Sequence, residues 1–188
     1  SYTFTGAIPL YFVGTLVEKT MVLELGPVLT GLALSGRIGA NIAAELGTMR
    51  VTEQVDAMET MGISPTRFLV VPRFLAAVLM LPALTIFADI VAIFGGWLVA
   101  VLTMGVSSHT FVSGLRLFFQ IQDVFSGLIK SFAFGGIIAM MGCYFGLKSE
   151  GGAEGVGVAT THAVVASCLL ILIVDYLLAS FLFRVIFA

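Results

Sequence analysis

The sequence has few charged side chains for its length. Its 188 residues include 9 Lys or Arg and 11 Asp or Glu, and they are 59% hydrophobic with a mean hydropathy of +1.11. Soluble globular domains carry charge on about a quarter of their residues, so this composition indicates a membrane-embedded chain instead. The net charge of −2 leaves no basic surplus, which argues against nucleic acid as a partner.

Cysteine, histidine and catalytic motifs are also scarce. Cys143 and Cys168 lie in apolar runs without partners at metal-ligand spacing, and His109 and His162 lie in separate connections. The sequence contains no G-x-S-x-G, H-E-x-x-H or Walker A pattern. We therefore expect no metal site, no cofactor and no enzymatic activity in this chain.

The first twenty residues lack an initiator Met and the basic and apolar regions of a signal peptide. This start suggests the inside of a longer protein, from which an N-terminal portion is missing. We expect residues 1–188 to form a single transmembrane domain.

Four stretches are long and apolar enough to cross a bilayer, which takes ~20 helical residues. They lie at Leu16–Leu46, Phe74–Thr103, Val124–Leu147 and Thr160–Phe187. They must be helices, because irregular backbone exposed to lipid would leave polar groups unpaired. The predicted fold is an all-α polytopic transmembrane helical bundle with about four spans.

The connections between the spans differ in length and charge. Glu45–Arg73 is long and charged, and Met104–Asp123 contains a segment suited to a short interfacial helix. Lys148–Ala159 is glycine-rich and short, and its "GGAEGVG", residues 151–157, is predicted to form a tight turn. An excess of Lys and Arg marks cytoplasmic connections. One side has four such residues and the other has two: Arg50, Arg67, Arg73 and Lys148 against Arg116 and Arg184. This count places the first and third connections in the cytoplasm and both ends of the chain outside.

The segment "MRVTEQVDAMETMG", residues 49–62, concentrates charge in an apolar chain. On a helical wheel its apolar and acidic residues occupy opposite faces. The apolar face holds Val51, Val55, Met58 and Met61, and the acidic face holds Glu53, Asp56 and Glu59. Helices that lie on membranes usually present Lys and Arg, so an acidic face favours a protein partner over the lipid surface. Gly62 is the expected C-cap.

Charged residues inside the spans are candidates for function, because their burial in hydrocarbon is costly. Glu24 precedes Gly26-Pro27, where the proline removes a helical hydrogen bond and is expected to bend the helix. Two roles remain open for Glu24: it lines a cavity or makes a structural hydrogen bond. Arg37 is expected to reach toward the inner headgroups.

The remaining charges within the spans, at Asp89, Lys130 and Asp175, are expected to pair with one another or with backbone groups. Small residues also recur at helix-packing spacing, in Ser35–Gly39, Ala40–Ala44 and Gly142–Gly146. Spacing alone leaves open whether these contacts form within one subunit or between two copies.

Three motifs, found in order, closely resemble the MlaE/YrbE permease family. They are "LELGPVLTGLALSGRIGANIAAELGTMRVTEQVDAMETMGISPTRFLVVPR" at Leu23–Arg73, "SGLIKS" at Ser126–Ser131 and "GGAEGVGVATTHAVV" at Gly151–Val165. The similarity covers nearly the whole chain. Members of this family are membrane subunits of ABC transporters that move lipids for MCE-domain proteins. They normally begin with an interfacial helix and one further membrane helix, and the resemblance implies that both are missing from this sequence.

The resemblance implies a set of partners. These are a second copy of the chain, two cytoplasmic ABC ATPases that bind ATP and Mg, an MCE-domain protein outside, and phospholipid, at a bacterial inner membrane. It also implies that about residues 48–62 form a coupling helix that docks into a groove on the ATPase. The residues concerned are Arg50, Glu53, Gln54, Asp56, Met58 and Glu59.

The resemblance further implies an outward-facing lipid cavity at the dimer interface. Its residues in this chain are Leu23, Glu24, Leu25 and Pro27. Many family members carry Arg before the Glu of "ELGP", where this chain has Leu23, and a basic residue after "ATT", where it has His162. The first departure removes a charge near the implied lipid path.

Two other functions are compatible with a polytopic membrane protein. An ion-coupled secondary carrier would use Asp89, Lys130 and Asp175 as a relay, but it predicts inverted repeats that the sequence lacks. An intramembrane enzyme would need a nucleophile and a base within the spans, and the histidines lie outside or at the edges of them.

Overall fold

The computed structural model describes residues 12–186, apart from the side chains of residues 104, 118, 183, 185 and 186. This part of the chain forms six helices and contains no strand. They are α1 (Phe12–Val51), α2 (Gln54–Thr60), α3 (Thr66–Val70 continuing into Val71–Met104), α4 (Ser108–Phe118), α5 (Ile121–Leu147) and α6 (Gly152–Ile186). Four of them, α1, α3, α5 and α6, are long and apolar enough to cross a membrane, which confirms the predicted four-span bundle.

Helix α5 occupies the centre of the bundle and packs against α1, α3 and α6. Its glycines let neighbouring backbones come close. A Cβ on Gly127 would lie 2.3 Å from the carbonyl oxygen of Val22 in α1, and one on Gly135 would lie 2.6 Å from that of Ala77 in α3. Such close approach lets helices associate in lipid through van der Waals contact.

The small-residue motifs pack helices within this chain. A Cβ on Gly146 would lie 2.9 Å from the Cβ of Leu46, and Gly142 meets the same helix one turn earlier. Ser35 and Gly39 of α1 are also buried. The motifs at residues 35–39 and 142–146 therefore act inside one subunit, which resolves for them the alternatives left open by their spacing.

The outer surface of the bundle is apolar. Large side chains on α3 and α6, such as Phe87 and Leu172, are exposed, whereas Phe134 and Ile171 are fully buried between helices. Lipid tails are as apolar as these exposed side chains, so a surface of this kind suits a bilayer.

The connection Met104–Asp123 contains the short helix α4, as predicted. Ser107 caps its start by accepting a hydrogen bond from the Thr110 backbone N–H at 3.2 Å. Thr15 of α1 donates a hydrogen bond of 2.8 Å to the Gly114 carbonyl. Helix α4 is thereby fixed to the first turn of α1.

The prediction of a tight turn over "GGAEGVG", residues 151–157, is wrong. Helix α6 begins at Gly152 and includes most of that glycine-rich stretch. Gly151 and Gly152 have φ values of 85° and 73°, a left-handed conformation that glycine adopts without steric cost. The next turns are helical because Val156 packs on α1, where a Cβ on Gly47 would lie 3.3 Å from its methyl groups.

An ion pair between residues far apart in sequence lies at each end of the bundle. At one end, which we call the α2 end, Arg73 pairs with Glu45 at 3.1 Å. At the other, the α4 end, Lys19 pairs with Asp123 at 2.8 Å. Lys19 adds a cation to the α4 end that the sequence count omitted, so the excess of Lys and Arg at the α2 end is smaller than predicted.

Candidate functional site

One face of α1 is exposed, and no other helix of the described residues covers it. Its exposed residues recur every three or four positions, with two adjacent pairs at Glu24-Leu25 and Gly36-Arg37, and we call this face the α1 stripe. The stripe consists of Leu16, Thr20, Glu24, Leu25, Leu29, Ala33, Gly36, Arg37, Asn41, Glu45 and Thr48. A surface that carries charge within a membrane span normally faces other protein or a water-filled cavity.

A buried lysine links Glu24 of the stripe to the interior of the bundle. Lys130 of α5 is 1% exposed and donates a hydrogen bond of 2.7 Å from Nζ to Glu24 Oε2. Asp175 of α6 is 19% exposed, and its Oδ1 forms an ion pair with the same nitrogen at 3.0 Å, without hydrogen-bond geometry. The expected pairing of Lys130 with Asp175 is confirmed, and Glu24 is an additional partner.

Glu24 makes the structural hydrogen bond that was one of the two roles left open by the sequence, and its cavity-lining role stays a prediction. It accepts the hydrogen bond from Lys130, yet its side chain remains 48% exposed on the stripe. One of its oxygens is thus available to whatever occupies the space beside α1.

A π turn aims Glu24 outward. Residues Met21–Leu25 form a π-helical segment within α1, in which the Gly26 N–H bonds back to the Met21 carbonyl. Gly26 has no side chain, and this leaves room for Asp89 of α3. A Cβ added to Gly26 would lie 1.8 Å from Asp89 Oδ1. Each π turn inserts one extra residue and so shifts the face that follows.

The π turn stands just before Gly26-Pro27, where the sequence predicts a bend. Helix α1 continues through this point, and the residues after the π turn resume α-helix with Pro27 at its start. Pro27 is fully buried, with its ring beside Gly127 of α5, so it does not belong to the exposed face. Of the predicted cavity residues, Leu25 and Glu24 are exposed on the stripe and Leu23 is half-buried.

The relay required by a secondary carrier is not assembled. Lys130 and Asp175 are paired, but Asp89 Oδ1 is buried without a hydrogen-bond partner among the described residues. Asp89 lies instead against the π turn of α1.

A second group of charges, at the α4 end, was missed from the sequence. Glu18 is 1% exposed, and neither of its carboxylate oxygens has a hydrogen-bond partner in the described part of the chain. Its charged neighbours are Asp123 and Lys19, which pair with each other. Glu18 and Lys19 are adjacent inside the first apolar stretch, and this pair of charges was the sequence feature that could have indicated the group.

The segment predicted to dock on a partner contains a helix, but this helix is shorter than residues 49–62, over which the helical wheel was drawn. Helix α1 ends at Val51, Glu53 has a φ of 59°, and α2 covers only Gln54–Thr60. The prediction of a continuous helix over residues 49–62 is therefore wrong at Thr52 and Glu53. A left-handed residue lets the chain turn away from α1, and this geometry costs a non-glycine residue about 1 kcal/mol.

The end of α2 agrees with the sequence. Gly62 has a φ of 76°; its N–H bonds to the Glu59 carbonyl at 3.0 Å, and the Ile63 N–H bonds to the Met58 carbonyl at 3.0 Å. This pair of bonds is the Schellman motif, which confirms Gly62 as the helix stop.

The predicted division of α2 into two faces is only partly correct. Val55 is buried and Met58 packs against the core, but Met61 is 67% exposed. The acidic residues Asp56 and Glu59 are exposed, as are Glu53 and Gln54. Arg50 at the end of α1 forms an ion pair with Asp56, but Glu53 and Glu59 form none among the described residues, so the exposed surface remains acidic.

Neither histidine belongs to a metal-ligating group. The described residues contain no cluster of three or more His, Cys, Asp or Glu side chains that could hold a metal ion. His162 stacks on Phe145 with ring centroids 5.9 Å apart, which is a packing contact.

The comparison with known proteins identifies the family. The model of the family described as Permease MlaE matches residues 2–181. The chain belongs to the MlaE permease family. It is similar to a probable ABC transporter permease protein of Rickettsia typhi, with 45% identity over 92% of this chain and 67% of the relative. A protein of the same description from Synechocystis is 43% identical over 92% of this chain and 65% of the relative.

A plant protein belongs to the same set of relatives. Protein TRIGALACTOSYLDIACYLGLYCEROL 1, chloroplastic, of Arabidopsis thaliana is 38% identical over 92% of this chain and 49% of its own length. Together with the four membrane-spanning helices, the MlaE family match makes this chain a multi-pass membrane permease.

Proposed function

We propose that this chain is the membrane subunit of an ABC transporter that moves phospholipids between a bacterial inner membrane and an MCE-domain protein outside it. Two copies form the permease, and two cytoplasmic ATPases bind ATP and Mg. The family supports the permease role, and relatives named as ABC transporter permeases support its association with ATPases. The chain itself supplies the lipid path and the docking surface for the ATPase.

The α1 stripe is the observation that carries this proposal. It places Glu24 and Arg37 on an unpartnered face within a membrane span. A charged group at the centre of a bilayer costs about 3 kcal/mol or more when it faces hydrocarbon alone. A second copy, with its own stripe opposite, encloses a space in which these groups meet water, headgroups or one another.

The chemistry of the stripe suits an amphipathic substrate. Leu25 and Leu29 are exposed apolar side chains beside the half-exposed carboxylate of Glu24. Acyl chains would contact the leucines, and the polar headgroup would remain near the carboxylate. The Arabidopsis relative bears the name of a galactolipid, which supports a lipid as the cargo of the family.

The ATPase would dock at α2. The acids Glu53, Asp56 and Glu59 are exposed at the α2 end, while Val55 anchors the helix in the core. A rigid, acidic protrusion suits a basic groove on a soluble partner, because complementary charge gives specificity.

Leu25→Trp tests the lipid path, because it adds volume on the stripe without adding charge. We expect bound phospholipid per purified dimer to fall several-fold while the ATPase still co-purifies. Leu172→Trp, at an exposed apolar position on α6, serves as the control and should leave bound lipid unchanged. An unchanged ratio of lipid to dimer in Leu25→Trp would refute the cavity, and a loss of dimer in proportion to lipid would assign Leu25 to helix packing.

A further inference from the structure

Arg37 is a cation inside a membrane span that the described part of the chain leaves without an ion pair or hydrogen bond. The other cations associated with α1 are compensated. Lys19 pairs with Asp123 and Lys130 with Glu24. An unpaired guanidinium within hydrocarbon costs free energy, so we expect Arg37 to have a partner outside the described residues.

The second π turn of α1 sets the direction of Arg37. Residues Ser35–Gly39 are π-helical, and the two ends of this turn are buried. Ser35 Oγ donates to the Leu32 carbonyl at 2.7 Å and lies 3.0 Å from Cys168 Sγ of α6. With both ends held against the bundle, the extra residue of the turn places Gly36 and Arg37 on the α1 stripe. π turns of this kind occur frequently at functional sites.

The space beside Arg37 is open to a ligand. A Cβ added to Gly36 would meet no heavy atom within 4 Å, and Asn41, the next exposed residue along the stripe, offers an amide group. Arg37 lies about 12 Å along the helix axis from Glu45 at the α2 end, and about 20 Å from Glu24, at 1.5 Å per residue. It therefore belongs to the half of the span that is nearer α2.

The charges of the stripe favour an anion at this position. Glu24 shares Lys130 with Asp175, and Glu45 pairs with Arg73. Arg37 is thus the one net charge on the stripe between those two residues. A guanidinium presents paired N–H donors that match the oxygens of a phosphate, and such charge-assisted bonds are stronger than neutral ones.

We propose that Arg37 binds the phosphate group of a phospholipid in the half of the membrane nearer α2. This inference rests on the proposed lipid transport and adds a second position to the path. The headgroup phosphate is held at Arg37 near one leaflet, and Glu24 with Leu25 lines the path about 20 Å away toward the other. A lipid with a phosphate is thereby distinguished from one without.

The test compares two lipids with identical acyl chains, a phosphatidylglycerol and a diacylglycerol, each with a photoactivatable chain. Crosslinking per dimer is measured in the permease complex purified with its ATPase. Arg37→Gln should lower phosphatidylglycerol binding by about tenfold, the effect of losing charge-assisted hydrogen bonds, and leave diacylglycerol binding unchanged. Arg37→Lys should show an intermediate loss, because an ammonium retains the charge but not the bidentate geometry.

Arg67→Gln is the matched control, because Arg67 is also exposed and without an ion pair among the described residues, but lies outside the stripe. It should bind both lipids as the unmodified protein does. Equal phosphatidylglycerol binding by Arg37→Gln and the unmodified protein would overturn the proposal and indicate that Arg37 only reaches toward the membrane surface. A parallel loss of both lipids and of dimer would overturn it in favour of an ion pair between copies. If the unmodified protein binds neither lipid, lipid transport itself is refuted, and the phosphate site with it.

Discussion

At the scale of single residues, Lys130 decides how charge is accommodated inside the bundle. It is almost completely buried, and its ammonium group is shared between Glu24 of α1 and Asp175 of α6. Burying a charge is tolerated only where it is paired, and removing one partner leaves the other uncompensated. Lys130 therefore connects three helices and fixes the orientation of Glu24, whose carboxylate faces the proposed lipid path.

Lys130→Met should lower the free energy of unfolding by about 3 kcal/mol, because Asp175 then remains buried without a counter-charge. Thermal unfolding of the purified complex, followed by tryptophan fluorescence or size-exclusion chromatography, measures this loss. Arg116→Met, at an exposed position of α4, should change little. The double variant Lys130→Met with Asp175→Leu should recover part of the stability. If it is no more stable than Lys130→Met alone, the unpaired aspartate is not the cause.

At the scale of elements, α2 combines a firm attachment with an exposed acidic surface. Val55 is buried in the core, and the Schellman motif at Gly62 ends the helix at a defined point. The left-handed Glu53 separates α2 from α1, so α2 projects as an independent short helix rather than as the last turns of a long one. Its exposed acids make it the surface that a basic cytoplasmic partner would contact.

Replacing Glu53 and Glu59 with Lys should abolish co-purification of the ATPase, because both charges on the docking surface are inverted. Membrane insertion should be unaffected, since these side chains are exposed. The control inverts Glu150 and Glu154, which are exposed acids in the α5–α6 connection and the start of α6. That variant should retain the ATPase at normal yield. Retention of the ATPase by the first variant would show that α2 is not the docking element.

At the scale of the whole molecule, the four spans fix which connections share a side of the membrane. Residues 45–73 and the turn before Gly152 meet at the α2 end, and α4 lies at the opposite end beside the start of α1. The relative placement of the two ends is therefore set by the fold. Which end faces the cytoplasm is predicted from the excess of Lys and Arg at the α2 end.

Single cysteines introduced at Ser108 and Glu150, both exposed, test this orientation in a background that lacks Cys143 and Cys168. A membrane-impermeant maleimide should label position 108 in intact cells and position 150 only after permeabilisation. A permeant maleimide should label both and thus control for reactivity. Labelling of position 150 alone in intact cells would reverse the orientation, and labelling of both by the impermeant reagent would contradict the number of spans.

The sequence by itself determined the features that depend on neighbouring residues along the chain. Long apolar runs specify four spanning helices, because ~20 such residues cross a bilayer only as a helix. Gly62 specifies the stop of α2, because only a residue that tolerates positive φ completes that cap. The acidic segment specifies an exposed surface, because its charges cannot be buried without partners.

The tertiary structure alone decided the features that depend on distant residues. Lys130 and Glu24 are separated by 106 positions, and no local pattern indicates that they meet. The π turns at Met21–Leu25 and Ser35–Gly39 form where α1 is held against α3, α5 and α6. These turns place Glu24 and Arg37 on the α1 stripe. The early start of α6 likewise depends on its contact with Gly47. Helix propensity and hydropathy act along the chain, whereas the direction of a polar side chain in a membrane bundle is set by the helices that pack behind it.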